Sequence, residues 1–526
     1  MTNGPDRRHS ISSTVRIEAR RIATQLVSSS HVGSRPTPAE ADGRHDRLLH
    51  SKRAYTSISA AARCLAFRYV VERMDCSFMR QRNRLAKTSC AHLVPALSVV
   101  LLTVGLPRSP HAEERTLAIQ GARRAPERIL IRAGHLIDPA TGDVKRNQSI
   151  LIEGQRVIDT SASIEFSKGT RQIDLTGWFV LPGLFDAHTH LCSRMSARWH
   201  VESFLVHSLA IPTGRRAIIG SVHAREMLEA GFTTVRDLGN AGLYADIDVR
   251  RAIRDGLIVG PTILPAGRII APFGGQFDWH VRQEVLEDPE YRFADSRDEL
   301  QKAIRENVYY GADVIKIVVD AQPYAYSTDD IQFIVAQARE AGVRVAAHCQ
   351  TREGARRAAS AGVASIEHGW VLEEDEFELM RRHNVVLVPT DASAEMLRLY
   401  GWSDQDAQHI HEKRVDRLRR AFAADVRIVF GSDVMTYSDD RSRGQLSMGY
   451  IDTYVNAGLP PLEILKTMTV HAAELLGVQD TRGRIQAGFA ADVIATRENP
   501  LENIQALKHV GFVMKDGRVV VEVEPD

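Results

Sequence analysis

Short apolar runs alternate with amphipathic stretches along most of this chain, and the spacing predicts strands and helices in turn. Runs rich in Val, Ile, Leu and Ala fall at 179–186, 233–238, 262–267, 314–319, 344–349, 365–369, 385–390 and 428–433. Each has the length of a buried parallel strand and ends in turn residues. Between them, residues 327–341, 353–361, 373–383 and 405–424 carry the three-to-four-residue apolar repeat of surface helices. Strands alternating with helices predict βαβ units and a parallel sheet. Eight such strands fit an α/β fold of the (β/α)8 TIM-barrel type over 179–483. The flanks differ: 128–175 and 484–523 alternate apolar and polar residues in short runs, with turns at Asp138-Pro-Ala-Thr-Gly142, Glu153-Gly154 and Lys515-Asp-Gly517. Segments 113–178 and 484–526 are expected to form one small β-sandwich domain built from both flanks of the barrel.

Polar residues interrupt the apolar runs at particular places. His188 and His190 close the first strand, and a period of two points both imidazoles the same way. A His-x-His pair alone is common in loops and cores, so its company decides. Lys316 sits in the middle of an apolar strand, where a bare ammonium costs several kcal/mol unless it is paired or chemically altered. His348, His368 and Asp433 each end a further strand. In a barrel, residues at the strand carboxyl ends converge over one mouth, whereas an open doubly wound sheet gives no reason for so many strands to contribute. The plain alternative for Lys316, a snorkelling or ion-paired lysine, explains the position less well in that company.

The set Pro182-Gly-Leu-Phe-Asp-Ala-His-Thr-His190, Gly311-Ala-Asp-Val-Ile-Lys316, Ala347-His-Cys349, Gly362-Val-Ala-Ser-Ile-Glu-His368 and Gly431-Ser-Asp433 resembles the metal-dependent amidohydrolase superfamily. Within it the chain is similar to the imidazolonepropionase-like and prolidase-like branch, which includes Xaa-Pro dipeptidase-like and ochratoxinase-like enzymes. Ala472-Ala-Glu-Leu-Leu-Gly477, Gly483-Arg-Ile-Gln-Ala-Gly-Phe-Ala-Ala-Asp492 and Asn499-Pro-Leu501 extend the likeness to about residues 128–521. The resemblance implies two divalent metal ions, of which zinc is the expected identity. His188 and His190 would hold the more buried metal, His348 and His368 the second, and a carbamylated Lys316 would bridge them. Asp433 would bind the first metal and handle protons. Carbamylation turns a costly buried amine into an anion that two metals can share, and a bridging water then becomes hydroxide near neutral pH. That hydroxide would attack the scissile carbonyl of an amide. A cyclic-amide hydrolase or deaminase of the imidazolonepropionase type is the alternative; a one-metal deaminase would have no use for Lys316. A metal-free assembly protein on the same barrel is disfavoured by the presence of every ligand type.

The substrate is expected to be a small amide with a free carboxylate beside the scissile bond: a dipeptide, an N-acyl amino acid or an ochratoxin-like amide. Loops after the strands supply candidates. His280 lies in the run Pro272 to His280, Tyr324 follows Lys316, and Arg441 or Arg443 follow Asp433. The aromatic residues Phe273, Phe277, Trp279, Tyr324 and Tyr326 lean toward an apolar side chain on the substrate, although aromatic residues also simply pack.

Charge divides the chain. Residues 1–112 hold 18 Lys+Arg against 7 Asp+Glu, leaving 49 against 59 in residues 113–526. The acidic remainder argues against nucleic acid as a partner. Residues 79–112 have the layout of a secretory signal peptide: Arg80, Arg82, Arg84 and Lys87, an apolar run from Leu93 to Leu106, and small residues before Glu113. The apolar run is too short to span a bilayer as an ordinary helix, so no stable membrane insertion is expected. Residues 1–78 lack periodicity, which suggests a disordered extension or a start at Met79. A periplasmic or secreted enzyme follows, or a cytoplasmic one if the leader is not a signal peptide. Cys192 and Cys349, beside metal-ligand candidates in sequence, should be apolar fillers on the opposite strand face. Homo-oligomers are implied by the resemblance alone.

Overall fold

The computed structural model describes residues 127–195, 207, 209–239, 242–276 and 291–522. All belong to one compact unit, Arg115–Asp526. The expectations for residues 1–112, and for His280, Phe277 and Trp279, lie outside the described residues.

The amino-terminal flank forms β1 (Arg128–Ile137), β2 (Val144–Glu153), β3 (Arg156–Ser161) and β4 (Arg171–Pro182). β2 pairs antiparallel with β1 and with β3, while β4 lies parallel to β1. Asp138 makes the expected turn: its carbonyl accepts from Gly142 N and its carboxylate from Ala140 N, both at 2.9 Å. β4 corrects the first barrel strand expected at 179–186. Residues 179–182 stay in the flanking sheet, and the chain turns at Pro182-Gly183 before β5 (Leu184–Thr189) begins.

β5 pairs in parallel with β6 (Phe232–Asp237), and β6 with β7 (Thr262–Pro265). The third expected strand is longer than predicted and broken. After β7 the chain kinks at Gly267 (φ 69°) into β8 (Ile269–Ala271), which pairs with β9 (Tyr291–Phe293) and with β10 (Val314–Val318). β11 (Arg344–Cys349), β12 (Ser365–His368) and β13 (Val386–Val388) follow in parallel register. The strands therefore form a three-stranded and a six-stranded ladder, not one continuous ring. The eighth expected strand, 428–433, makes one bridge, Leu387 to Ile428. It is tied into place nonetheless: Ala187 N donates to Phe430 O at 2.9 Å and Asp433 N to His188 O at 2.7 Å. Gly431 is required there, because a Cβ would lie 2.8 Å from that of His188 and 2.4 Å from Val388 Cγ1.

Helices cover these strands and begin where the sequence offers caps. Ser296 and Ser327 form capping boxes with Glu299 and Asp330, and Thr351, Ser393 and Ser403 cap the helices that follow them. Strand alternation sorts the side chains. Ile315 and Ile317 pack among helix residues such as Ile331 and Ile334, whereas Val314 meets Leu238, Ala266 and Ala346 on the inner side. Lys316, two residues from Val314, shares that inner side.

The chain then returns to the flank as β14 (Val493–Thr496), β15 (Val510–Lys515) and β16 (Arg518–Val521). These join β1–β4 in a single seven-stranded sheet, order β16-β15-β14-β4-β1-β2-β3. The two flanks do come together in one domain, as expected, and their pairing is one ladder because β14 pairs directly with the carboxyl half of β4. Ile131, Ile150, Ile152, Leu175, Val493, Phe512 and Met514 make its core. The turn at Lys515-Asp516-Gly517 places Asp516 and Gly517 at positive φ, as the hairpin expectation required.

Candidate metal centre

The carboxyl ends of β5, β10, β11, β12 and the 428–433 segment bring six sequence-predicted residues together. The ring centroids of His188 and His190 are 5.4 Å apart, those of His188 and His368 5.1 Å, and those of His348 and His368 4.4 Å. Lys316 Nζ lies 3.5 Å from His188 Nε2. Asp433 Oδ1 is 3.1 Å from His190 Nε2 and 3.5 Å from His188 Nε2. His188, His368 and Asp433 present ligand atoms within 4.8 Å of one another.

Electrostatics suit a cation site. Burial, followed by the charge of Lys316, holds His188 well below the ordinary imidazole range, and the same two causes bring His348 to about 3. Burial and the neighbouring rings do likewise for His368. Neutral imidazoles are the form that binds metal. Burial alone would raise Asp433, but His188, His190 and Lys316 more than offset it, so the carboxylate stays ionised. Lys316 is brought down to about 8, chiefly by burial, so a useful fraction is neutral amine at physiological pH. Among the described residues no carboxylate lies within ion-pair distance of its ammonium. His348 Nε2 is buried without a hydrogen-bond partner. An unpartnered imidazole nitrogen aimed among neutral rings and an anion fits a bound metal ion.

Residues behind the cluster went unassigned in the sequence. Glu367 Oε2 accepts from His188 Nδ1 at 2.7 Å, and its other oxygen accepts from Arg236 Nη2 at 2.8 Å. Arg236 also donates to Ala187 O and Ser365 Oγ. Asp186 accepts from His188 N at 3.0 Å and from the hydroxyls of Ser432 and Ser447, both at 2.6 Å. Burial raises Asp186 to about 6. His190 Nδ1 faces Gly239 O at 2.7 Å, and His368 Nδ1 lies 2.8 Å from Thr390 Oγ1. Glu367 was findable: it is a charge in an apolar strand, the same anomaly that exposed Lys316.

The substrate candidates fare differently. Tyr324 is half-exposed and donates to Phe273 O at 2.5 Å, outside the cluster. Arg441 is ion-paired to Glu395 at 2.7 Å. Arg443 is buried, donating to Val434 O and to Ser193 O, so its guanidinium is engaged by loop carbonyls. Cys192 and Cys349 are free and buried. The Cys192 sulfur lies against Gly220 of the helix Thr213–Glu229, and Cys349 packs in the core around β10 to β12, away from the ring cluster.

A parallel α/β fold with this ring of histidines at one mouth defines a metal-dependent hydrolase, and the chain belongs to the amidohydrolase family, whose sequence pattern matches residues 179–520. It falls in the imidazolonepropionase-like and prolidase-like branch and acts on amide or peptide carbon–nitrogen bonds. It is 28% identical to an ochratoxinase of Aspergillus niger over 454 residues, covering 78% of this chain and 90% of that protein. It is 22% identical to an imidazolonepropionase of Porphyromonas gingivalis over 451 residues, 79% of this chain and 99% of that one. A crystal structure of a Xaa-Pro dipeptidase with methionine in its active site matches with a TM-score of 0.65 at 30% identity, covering 75% of this chain and 99% of that one. These likenesses imply a TIM-barrel-type fold. No helix among the described residues is long and apolar enough to cross a membrane.

Proposed function

We propose that this enzyme is a dinuclear amidohydrolase that cleaves an amide next to a free carboxylate, in a dipeptide, an N-acyl amino acid or a related amide. The observation that carries the reading is Lys316: a buried amine in the histidine cluster, lowered to about 8 by burial although the charges of Glu367 and Asp433 act to raise it, with no carboxylate among the described residues within ion-pair distance. Its carbamate would give two metals a shared anion, with His188, His190 and Asp433 on one side and His348 and His368 on the other. Two divalent cations held there, zinc by the nitrogen and oxygen donors, would acidify a shared water and polarise the scissile carbonyl. Asp433, on the rim of the cluster, takes a proton from the attacking water and delivers it to the leaving nitrogen. Glu367 fixes the tautomer and tilt of His188 through its Nδ1. The bound methionine in the Xaa-Pro dipeptidase supports an amino acid, with its carboxylate, as one product.

The same reading closes the parallel ladders, from Leu184 onward, into a (β/α)8 barrel and makes the seven-stranded sheet a satellite domain. It places the enzyme outside the cytoplasm, on the leader-like pattern of 79–112, and in a homo-oligomer. Screening zinc-loaded protein against N-acyl amino acids and dipeptides, with metal counted per chain, tests the core of it. Two metals and amide turnover are expected. One metal, an unmodified Lys316 and turnover of an imidazolone ring alone would favour the cyclic-amide alternative. Sequencing the mature amino terminus checks export: a terminus upstream of Met79 would sink it.

A further inference from the structure

A substrate carboxylate needs a cation beside the centre, and the loop arginines do not offer one: Arg441 is paired to Glu395 and Arg443 is buried among loop carbonyls. The helix Asp404–Ala423 does. It leads into the 428–433 segment, which lies parallel to β13, so it runs back from the strand carboxyl ends toward their amino ends. Arg417 on this helix already reaches the centre: Nη2 donates to His368 O at 3.3 Å and to Asp391 at 2.7 Å. Arg414, three residues earlier, lies on the same helix face one turn nearer the catalytic mouth.

The Arg414 guanidinium carbon sits 4.6 Å from the centre of the Trp370 ring, and that ring is 5.1 Å from the His368 imidazole. Among the described residues no carboxylate lies within ion-pair distance of Arg414. Its charge is felt at Asp391 and Tyr450, and the charge of Asp433 reaches Tyr450 and Tyr400. Tyr400 and Tyr450 share a hydrogen bond of 2.7 Å between their hydroxyls. Arg414 thus stands across an aromatic wall from the proton-handling carboxylate. A guanidinium stacked on a ring is held by its face, which leaves its N–H edge free to give a carboxylate two parallel hydrogen bonds.

We propose that Arg414 binds the free carboxylate of the substrate, with Trp370 holding the guanidinium in place and forming the wall beside the substrate side chain. This assignment rests on the reading of the enzyme as one that cleaves beside a carboxylate. Arg194 is the competing cation: it stacks 3.9 Å over Tyr437 and is exposed.

The test compares hydrolysis of N-acetyl-L-phenylalanine with that of its carboxamide by wild type, Arg414→Met, Arg414→Lys and Arg194→Met. Wild type should prefer the acid. Arg414→Met should shrink the acid-to-carboxamide ratio of kcat/KM by about 10- to 100-fold, mainly through KM, the size of a charged hydrogen-bond pair. Arg414→Lys should recover part of it. Equal losses on both substrates would make Arg414 a structural residue and overturn the assignment, as would a collapse of the ratio in Arg194→Met alone. If wild type cleaves neither compound, or shows no preference for the acid, the functional reading fails at the carboxylate. Calorimetric binding of L-phenylalanine to metal-loaded protein then judges Arg414 separately: a Kd unchanged in Arg414→Met overturns it.

Discussion

The two histidine pairs of the centre are held by different means. His188 and His190 lie at the end of β5, and each has its far nitrogen fixed, one by Glu367 and one by the carbonyl of Gly239. Arg236 ties Glu367 back to β5 through Ala187 O at 2.6 Å, closing a buried charged loop around the first pair. On the other side, His368 sits at φ 69° and Thr390 behind it at φ 51°, positions that cost of order 1–3 kcal/mol each unless their surroundings impose them. Arg417 and Asp391 supply the imposition, and His348 Nε2 has no protein partner. One half is arranged by charge and hydrogen bonds before any ligand arrives. The other carries two residues at positive φ, against the single Asp433 at φ 57° on the first side, and leaves a ring nitrogen that a ligand would complete.

In the proposed dinuclear centre Lys316 would link the halves, so its loss should do most damage. Lys316→Ala should reduce bound metal from two ions to one or none and amide turnover by at least about a thousandfold, since several kcal/mol of transition-state stabilisation depend on the metals. Circular dichroism should stay native, because the change removes a costly buried amine. Normal turnover by this variant would end the dinuclear reading. Glu367→Gln should separate the halves: affinity for the metal on the His188 side should fall about 10- to 100-fold, while the second ion is retained. Competition with a chelator measures this, and equal loss of both ions would show that the halves are not independently held.

Sequence showed the first half better than the second. His188, His190, Lys316, His348, His368 and Asp433 were legible because each is a polar residue in or at the end of an apolar strand, an anomaly that periodicity exposes. Glu367 and Asp186 were equally anomalous and went unassigned, since nothing in their spacing indicates which histidine they brace. Thr390, Asp391 and Arg417 lie in or behind loops where polar residues are ordinary, and their roles depend on φ angles and on a helix folding back from elsewhere. The parallel order of strands was readable from alternation. The turn at Pro182-Gly183 and the kink at Gly267 were not, because the apolar pattern continues through both and only the pairing partner changes. Loop position likewise pointed to His280, Tyr324, Arg441 or Arg443 as substrate contacts, whereas the guanidinium proposed for the carboxylate, Arg414, stands on a helix face.

A pH test sharpens the contrast. Burial raises Asp391 to about 6, against an ordinary value near 3.9 in the unfolded chain. As pH rises from ~4 to ~6 the unfolded chain loses this proton first, so the stability contributed by the protonated carboxyl is full below ~4 and is lost by ~6. The effect is on the order of a few kcal/mol at most. Asp391→Asn puts a neutral group of similar shape beside Arg417, so any deficit it carries reflects lost hydrogen bonding to that guanidinium. Because asparagine does not titrate, its deficit relative to wild type should shrink between pH ~4 and ~6. Urea unfolding of chelator-treated protein across that range reads the difference. A deficit that stays flat or grows with pH would mean that Asp391 is ionised in the folded protein throughout that range and that its pair with Arg417 is held by charge.

The smallest effect separates strain from hydrogen bonding at Thr390. Thr390→Val keeps a β-branched residue at positive φ and removes the oxygen that faces His368 Nδ1. Thr390→Gly removes the oxygen but also relieves the backbone, since glycine takes positive φ without penalty. Thr390→Asn tolerates that φ and keeps a polar group in reach. If the hydrogen bond orients His368, both Val and Gly should weaken the metal on that side by about 1 kcal/mol, roughly fivefold, and Asn should weaken it least. If strain is what matters, Gly should stabilise the metal-free protein yet bind the ion more weakly than Val, because a relaxed loop no longer holds His368 in position. Metal titrations of the three variants, each beside an unfolding curve, give these two orders of ranking, and only the first preserves hydrogen bonding as the common device of both halves.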